Sequence, residues 1–234
     1  DTGASLNPRR TVRASVALPL RWNLGLPAAV ARERADALLD RVGLAPAVFA
    51  ARLPHELSGG QRQRVGIARA LASGPRLVVA DEPVSALDVS VRAQVLELLA
   101  ALQRDEGLAY LFITHDLGVV RAIADRVLVM YLGAIVEAGP AAALLAGPRH
   151  PYTRALLDAT PVPDPRVRER RRLQGLAGEL PRATDLPSGC RFRTRCPQVQ
   201  AICAAVAPPA LPSSGGGFVA CHFPLEVRGH DHAG

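Results

Sequence analysis

The stretch LPHELSGGQRQRVGIARAL, Leu53–Leu71, decides the reading of this chain, together with RLVVADEP, Arg76–Pro83, which follows it. Ser58 is a strong N-cap, and Gly59 and Gly60 leave the first helical N–H groups uncovered. A helix over about Gly60 to Ala72 then begins with a partial positive charge and can hold an anion such as a phosphate. Gln61 adds a neutral donor, and three arginines follow. In the second stretch four apolar residues, Leu77–Ala80, run into Asp81-Glu82-Pro83. That pattern predicts a buried strand whose carboxyl end carries two acids. Either stretch alone also describes ordinary structure, a capped helix or a strand ending in solvated acids. Their succession within about 20 residues is what makes them informative.

The hhhhDE run has the form of a Walker B motif. Asp81 can hold Mg²⁺ through its hydration shell. Glu82 can orient, or accept a proton from, a water that attacks a γ-phosphate. Further on, SALD, Ser85–Asp88, opens a long helix at about Ser90–Arg104, with Val91, Val95, Leu98, Leu99 and Leu102 on one face. A second apolar strand, Tyr110–Thr114, ends in His115-Asp116, and His115 becomes a candidate γ-phosphate contact. A helix over Leu117–Ala124 and strands at Arg126–Met130 and Gly133–Glu137 complete an α/β pattern with a largely parallel sheet. In such sheets ligands collect at the carboxyl ends of the strands, where Asp81, Glu82 and His115 fall. Upstream, the best helix is Ala28–Val42, with Val30, Ala35, Leu38, Leu39 and Val42 apolar and Gly43 as its stop.

The 234 residues are 49% apolar, enough for a real core, and carry a formal charge of +7 supplied by arginine alone, for the chain holds no lysine. Apart from RVRERRRL, Arg166–Leu173, the arginines are scattered as on solvated helix faces. No apolar run approaches the roughly 18 residues that span a bilayer. From Thr160 the composition turns Pro-rich and irregular, predicting a boundary there and a small, loop-rich extension beyond it. All four cysteines lie in that extension, spaced C-x5-C-x6-C-x17-C at Cys190, Cys196, Cys203 and Cys221. Four thiolates suit a [4Fe–4S] cluster or structural Zn²⁺, and free reduced thiols remain an alternative; the absence of tight CxxC pairs argues against a common zinc ribbon. Gly215-Gly216-Gly217 reads as a flexible loop inside the last gap.

LSGGQ, ADEP, SALD and ITHD, in this order and spacing, resemble the nucleotide-binding subunit of ATP-binding-cassette (ABC) proteins. ASLNPR (Ala4–Arg9), DEPVSALDVSVRAQVL and HPYTRALL (His150–Leu157) resemble more narrowly the ATPase subunits of dipeptide and oligopeptide importers, and GCRFRTRCPQVQAIC looks like that group's C-terminal extension. The resemblance implies an α/β ABC-type cassette over 1–159, with a helical subdomain at about 4–72, a Walker B and His115 core at about 73–140, and the extension over 160–234. It implies that ATP and Mg²⁺ are bound by a pair of cassettes closed face to face. Ser58, Gly59, Gly60 and Gln61 of one subunit would meet the γ-phosphate of ATP seated on the other, with the Asp88 loop across the interface. Glu82 and His115 would be catalytic and Asp81 would hold Mg²⁺. Some importers of this kind carry a [4Fe–4S] cluster in the extension. Partners so implied are transmembrane permease subunits, a second ATPase subunit and, indirectly, an extracytoplasmic peptide-binding protein, with the chain peripheral on the cytoplasmic face of the membrane. Nucleic acid is not expected. The alternatives are a non-catalytic truncated cassette and a soluble ABC ATPase acting on DNA.

The chain departs from that family at one point. A P-loop, GxxxxGK[ST], requires lysine, and there is none. On the family's layout the resemblance implies about 90–100 further residues before Asp1, carrying the P-loop, the Q-loop glutamine and the adenine-stacking aromatic. The expectation is therefore no ATP hydrolysis by these residues alone, and exposed sheet edges.

Overall fold

The computed structural model describes residues 6–160, 181–182 and 184–226; the run Arg166–Leu173 lies outside them. The chain forms two compact units, Asp1–Asp116 and Leu117–Gly234. The compositional break at Thr160 falls inside the second.

In the first unit, helices α1 (Val12–Trp22), α2 (Ala28–Arg41), α3 (Pro46–Phe49) and α4 (Gly59–Leu71) are followed by strand β1 (Leu77–Asp81), helix α5 (Val89–Glu106) and strand β2 (Ala109–Ile113). Thr11 caps α1, its hydroxyl accepting from the Ala14 N–H. Val12, Val16 and Leu20 recur at helical spacing and are buried. On α2 the buried row is Ala31, Ala35, Leu38 and Leu39, continuing to Val42. Val30, expected on the apolar face, is exposed because it sits one residue, about 100°, off that row. Gly43 ends the helix as its sequence indicates. With φ of +74° it lets its own N–H donate to the Asp40 carbonyl and the Leu44 N–H to the Leu39 carbonyl, both at 2.9 Å, the paired bonds of a Schellman cap. Leu20, Leu39, Leu44 and Val65, all fully buried, join α1, α2 and α4, each such side chain contributing about 1.5–3 kcal/mol.

β1 and β2 pair in parallel, from Leu77 opposite Ala109 to Asp81 opposite Ile113. Their apolar runs predict strands covered on both faces. Here Val78, Ala80, Tyr110 and Phe112 are partly covered, while Leu77, Val79, Leu111 and Ile113 on the other face are 46–59% exposed. Among the described residues the parallel sheet has only these two strands.

The second unit corrects the expectation of a largely parallel sheet. It contains α6 (Leu117–Ile123), β3 (Arg126–Tyr131), β4 (Ala134–Pro140), α7 (Ala141–Ala146), α8 (Pro151–Ala159), α9 (Ile202–Ala205), β5 (Ala210–Ser213) and β6 (Gly217–Ala220). The sheet, in order β3-β4-β6-β5, is antiparallel throughout. Leu132 and Gly133, both at positive φ, close β3 on β4 with a two-residue turn of the kind that matches hairpin twist. Gly217 lets β6 approach β4, since a Cβ there would lie 2.3 Å from the Ala138 carbonyl oxygen. The glycines expected to form a flexible loop are instead held. Arg126 donates to the carbonyls of Gly215 (3.1 Å) and Gly216 (2.8 Å). Phe192, fully buried, packs edge-on against Tyr131 at 5.2 Å in a core with Val129, Val136 and Leu144.

Candidate functional site

The start of α4 is built as the sequence indicates, with one refinement. The Ser58 hydroxyl accepts from the Gln61 N–H (3.3 Å), and the Gln61 side-chain oxygen accepts from the Ser58 N–H (2.9 Å). This capping box fixes both side chains and leaves the N–H groups of Gly59 and Gly60 as the end-of-helix donors. Gly60 has a second role that its spacing does not reveal. A Cβ there would sit 2.3 Å from Val91 Cγ1 of α5, and one at Gly59 would sit 3.5 Å from Leu87 Cδ2. The arginines that follow serve the fold. Arg62 donates to the Leu57 carbonyl (2.8 Å), and Arg64 reaches the Val42 carbonyl at the end of α2 (2.9 Å).

Asp81 and Glu82 stand at the carboxyl end of β1 and His115 just beyond β2, so the parallel register brings them together. His115 Nδ1 lies 2.9 Å from Glu82 Oε1, which leaves Nε2 as the ring nitrogen free to meet a ligand. The Glu82 N–H donates to the Ile113 carbonyl (2.8 Å), and its backbone adopts φ of +45°, a left-handed conformation that costs about 1–3 kcal/mol for a non-glycine residue. The hydrogen bond from His115 holds the Glu82 carboxyl below its ordinary range, against the opposing pull of desolvation, and Ser85 adds to the lowering. Asp81, Glu82 and His115 are all solvent-exposed, open to a ligand.

Asp88 is engaged locally. Its carboxylate accepts from the Val91 N–H (2.9 Å) and the Ser90 hydroxyl (2.8 Å), capping α5, and these bonds lower its pKa. Arg92, one turn on, forms an ion pair with Asp116, the residue after His115, and also points at the Leu87 carbonyl (3.4 Å). Neither Arg92 nor Asp116 stands out in the sequence reading, although an arginine four residues after a helix cap and an acid beside His115 are the available signals.

In the second unit a different helix start is assembled from residues far apart in sequence. Glu137 of β4 is buried, and its two oxygens accept from the N–H groups of Arg149 (2.7 Å) and His150 (3.0 Å) ahead of α8. His150 Nδ1 accepts from the Tyr152 N–H (3.0 Å), and burial pushes its imidazole pKa down to about 4. Glu137 was not singled out by sequence. The four cysteines are all free. Burial raises the thiols of Cys190, Cys196 and Cys221, the last to about 11, and repulsion from neighbouring cysteines adds to each. Among the described residues no three His, Cys, Asp or Glu side chains are arranged to hold a metal ion.

Two family models match the chain: "ABC transporter" over residues 2–85 and "Oligopeptide/dipeptide transporter, C-terminal region" over residues 136–203. The chain is 50% identical to the oligopeptide transport ATP-binding protein AppF of Bacillus subtilis over 223 residues, covering 95% of this chain and 68% of that protein. It is 53% identical to the oligopeptide transport ATP-binding protein OppF of Escherichia coli over 209 residues, 89% of this chain and 62% of that one. It thus spans about two thirds of the length of such relatives. Among solved structures, the dimeric ATP-binding cassette MJ0796 in a post-hydrolysis state bound to ADP and Pi matches with a TM-score of 0.50 and 33% identity, over 58% of this chain and 59% of that one. The helix start at Ser58, the acids ending β1 and the histidine after β2 thus sit in an α/β cassette of known kind, and the chain belongs to the ABC transporter family, among the oligopeptide transport ATP-binding proteins.

Proposed function

We propose that this chain is the ATP-hydrolysing subunit of a peptide importer and that it acts in a pair. The juxtaposition of Glu82 and His115 at the ends of adjacent parallel strands, beside Asp81, carries the reading. Glu82, kept ionised by its hydrogen bond to His115, orients the attacking water and draws off its proton. His115 turns Nε2 toward the γ-phosphate. Asp81 offers the hard, exposed oxygen that Mg²⁺ prefers; one or two carboxylates with phosphate oxygens suffice for that ion, so the residues present fit it. When bound, Mg²⁺ neutralises charge on the phosphates.

The open start of α4 supplies the complementary half. Its Gly59 and Gly60 N–H groups and the Gln61 amide are donors for the γ-phosphate of a nucleotide held by a second ATPase subunit, each such donor contributing about 2–4 kcal/mol in the transition state. The lysine-bearing cradle that the reaction needs is not among these 234 residues, and these residues by themselves do not turn over ATP. Permease subunits in the membrane receive the work of hydrolysis, and an extracytoplasmic binding protein delivers peptide. No helix among the described residues is long and apolar enough to cross a membrane, in keeping with a subunit peripheral on the cytoplasmic side. For the four cysteines the finer reading is a [4Fe–4S] cluster, with zinc second, resting on their number and thiolate chemistry; iron analysis of protein purified without oxygen tests it.

The decisive experiment is Glu82→Gln in the full-length subunit assembled with its permease. ATP turnover falls by about 100-fold or more while nucleotide binding persists. Unchanged turnover removes Glu82 from the reaction.

A further inference from the structure

One turn of α5 touches both halves of the proposed machinery. Asp88 caps it, fixing Ser90 and Val91. Val91 presses on Gly60 so closely that no Cβ fits between them, and Leu87, just before the cap, lies against Gly59. Arg92 then turns the other way. One terminal nitrogen pairs with the Asp116 carboxylate and the other points at the Leu87 carbonyl, while its Nε is buried without a partner. The Asp116 N–H is itself held by the Thr114 hydroxyl (3.1 Å), so the backbone on both sides of His115 is fixed.

We infer that Arg92 is a positioning residue: by joining Asp116 to the turn that packs on Gly59 and Gly60, it holds His115 and the open helix start of α4 in one register. The inference rests on the composite-site reading above, in which those two features face different nucleotides. A shift of Gly60 against a ligand then reaches Val91, the adjacent Arg92 and, through Asp116, the loop carrying His115, and the two nucleotides are sensed together. The chain of contacts is short and continuous: Gly60, Val91, Arg92, Asp116, His115. An ordinary surface ion pair would contribute little to stability and nothing to turnover.

The test uses the full-length subunit assembled with its permease. Arg92→Met lowers kcat by about 10- to 100-fold, as misplacement of a catalytic group does, with the KM for ATP changed less than about twofold. The Hill coefficient for ATP falls toward one. Asp116→Asn gives the same pattern, and the double variant is no worse than either single one, because both break the same link. Arg92→Lys, which keeps the charge but loses the fork, recovers part of kcat; it carries the test if Arg92→Met does not fold, and wild-type kcat in Arg92→Lys then overturns the inference. So does a loss of melting temperature with kcat and cooperativity intact, or additive losses in the double variant. Glu82→Gln run alongside separates the two levels: if it hydrolyses normally, the placing of the reaction at the ends of β1 and β2 fails and takes this inference with it. If it is inactive while Arg92→Met turns over normally, only the role of Arg92 fails.

Discussion

The chain contains two helix starts of contrasting design. At α4 the side chains of Ser58 and Gln61 each accept from the other's backbone N–H, and the N–H groups of Gly59 and Gly60 are left as the end-of-helix donors. At α8 the same electrostatic need is met from within. The Glu137 carboxylate is buried and takes the N–H groups of Arg149 and His150 on its two oxygens. Both starts favour a negative charge through the helix dipole, and at α8 the carboxylate takes the N–H groups of the cap residue and the residue before it. Where the chain supplies the anion, the helix start is a joint of the fold. Where it withholds one, the helix start is available to a phosphate. The difference is read from the partner of the N–H groups, since both starts are capped.

The sharpest way to break this contrast is to fill the open start. Gly60→Ala puts a methyl group where Val91 Cγ1 lies 2.3 Å away. The helix start must move, and ATP turnover in the assembled transporter falls by about 100-fold, as when one aligned donor is lost. Val91→Ala in the same chain makes room and restores part of the turnover. No recovery in the double variant would mean that the glycine serves the approach of the ligand alone, not the packing of α4 on α5.

The closed start predicts the opposite pattern, stability rather than turnover. Glu137→Ala leaves two N–H groups without their carboxylate in a buried site, and each costs about 1–3 kcal/mol. Urea unfolding of the full-length protein reads a loss of about 3 kcal/mol. A loss no larger than that of an exposed substitution would show that water replaces the carboxylate, and α8 would then resemble α4 more than the geometry says.

The open start was legible in the sequence and the closed one was not, for a physical reason. Ser58 and Gln61 act on each other across three residues, so a local pattern contains their capping box, though not the packing of Gly60 on Val91. Asp81-Glu82 and His115 are almost as local, because each ends a short apolar strand and only one pairing had to be inferred. Gly43 as a helix stop is local too, and it holds. Glu137 acts across 13 residues, Arg92 across 24 and β6 pairs with β4 across some 80, and no periodicity records such meetings. The antiparallel sheet went unread because Leu132-Gly133 closes its hairpin without the Asn-Gly or Asp-Gly signature that usually announces one. Arg62 and Arg64, read with the other scattered arginines as solvated charge on helix faces, prove to be ties to carbonyls, a use that composition does not record.

A finer consequence of the closed start lies in its response to acid. His150 is 1% exposed, and burial pushes its pKa from an ordinary 6.5 down to about 4. The unfolded chain therefore binds a proton near pH 6.5 that the native chain refuses until about pH 4. In that interval the unfolded state carries more protons, so stability rises with pH. The contribution is complete above the unfolded value and is lost as the pH falls toward the folded one, about 3 kcal/mol over the window as an upper figure. His150→Gln keeps an acceptor for the Tyr152 N–H without a titrating ring. Measured as unfolding free energy against pH, the wild-type curve should fall more steeply through this window than that of the variant. Parallel curves would mean that the buried imidazole reaches water on protonation without opening the fold, and α8 would then tolerate at its start a positive charge that burial of the ring disfavours. The open start of α4 has no titrating group in its capping box, so the same window should leave its geometry unmoved, and the contrast between the two helix starts would be visible as a difference in pH dependence.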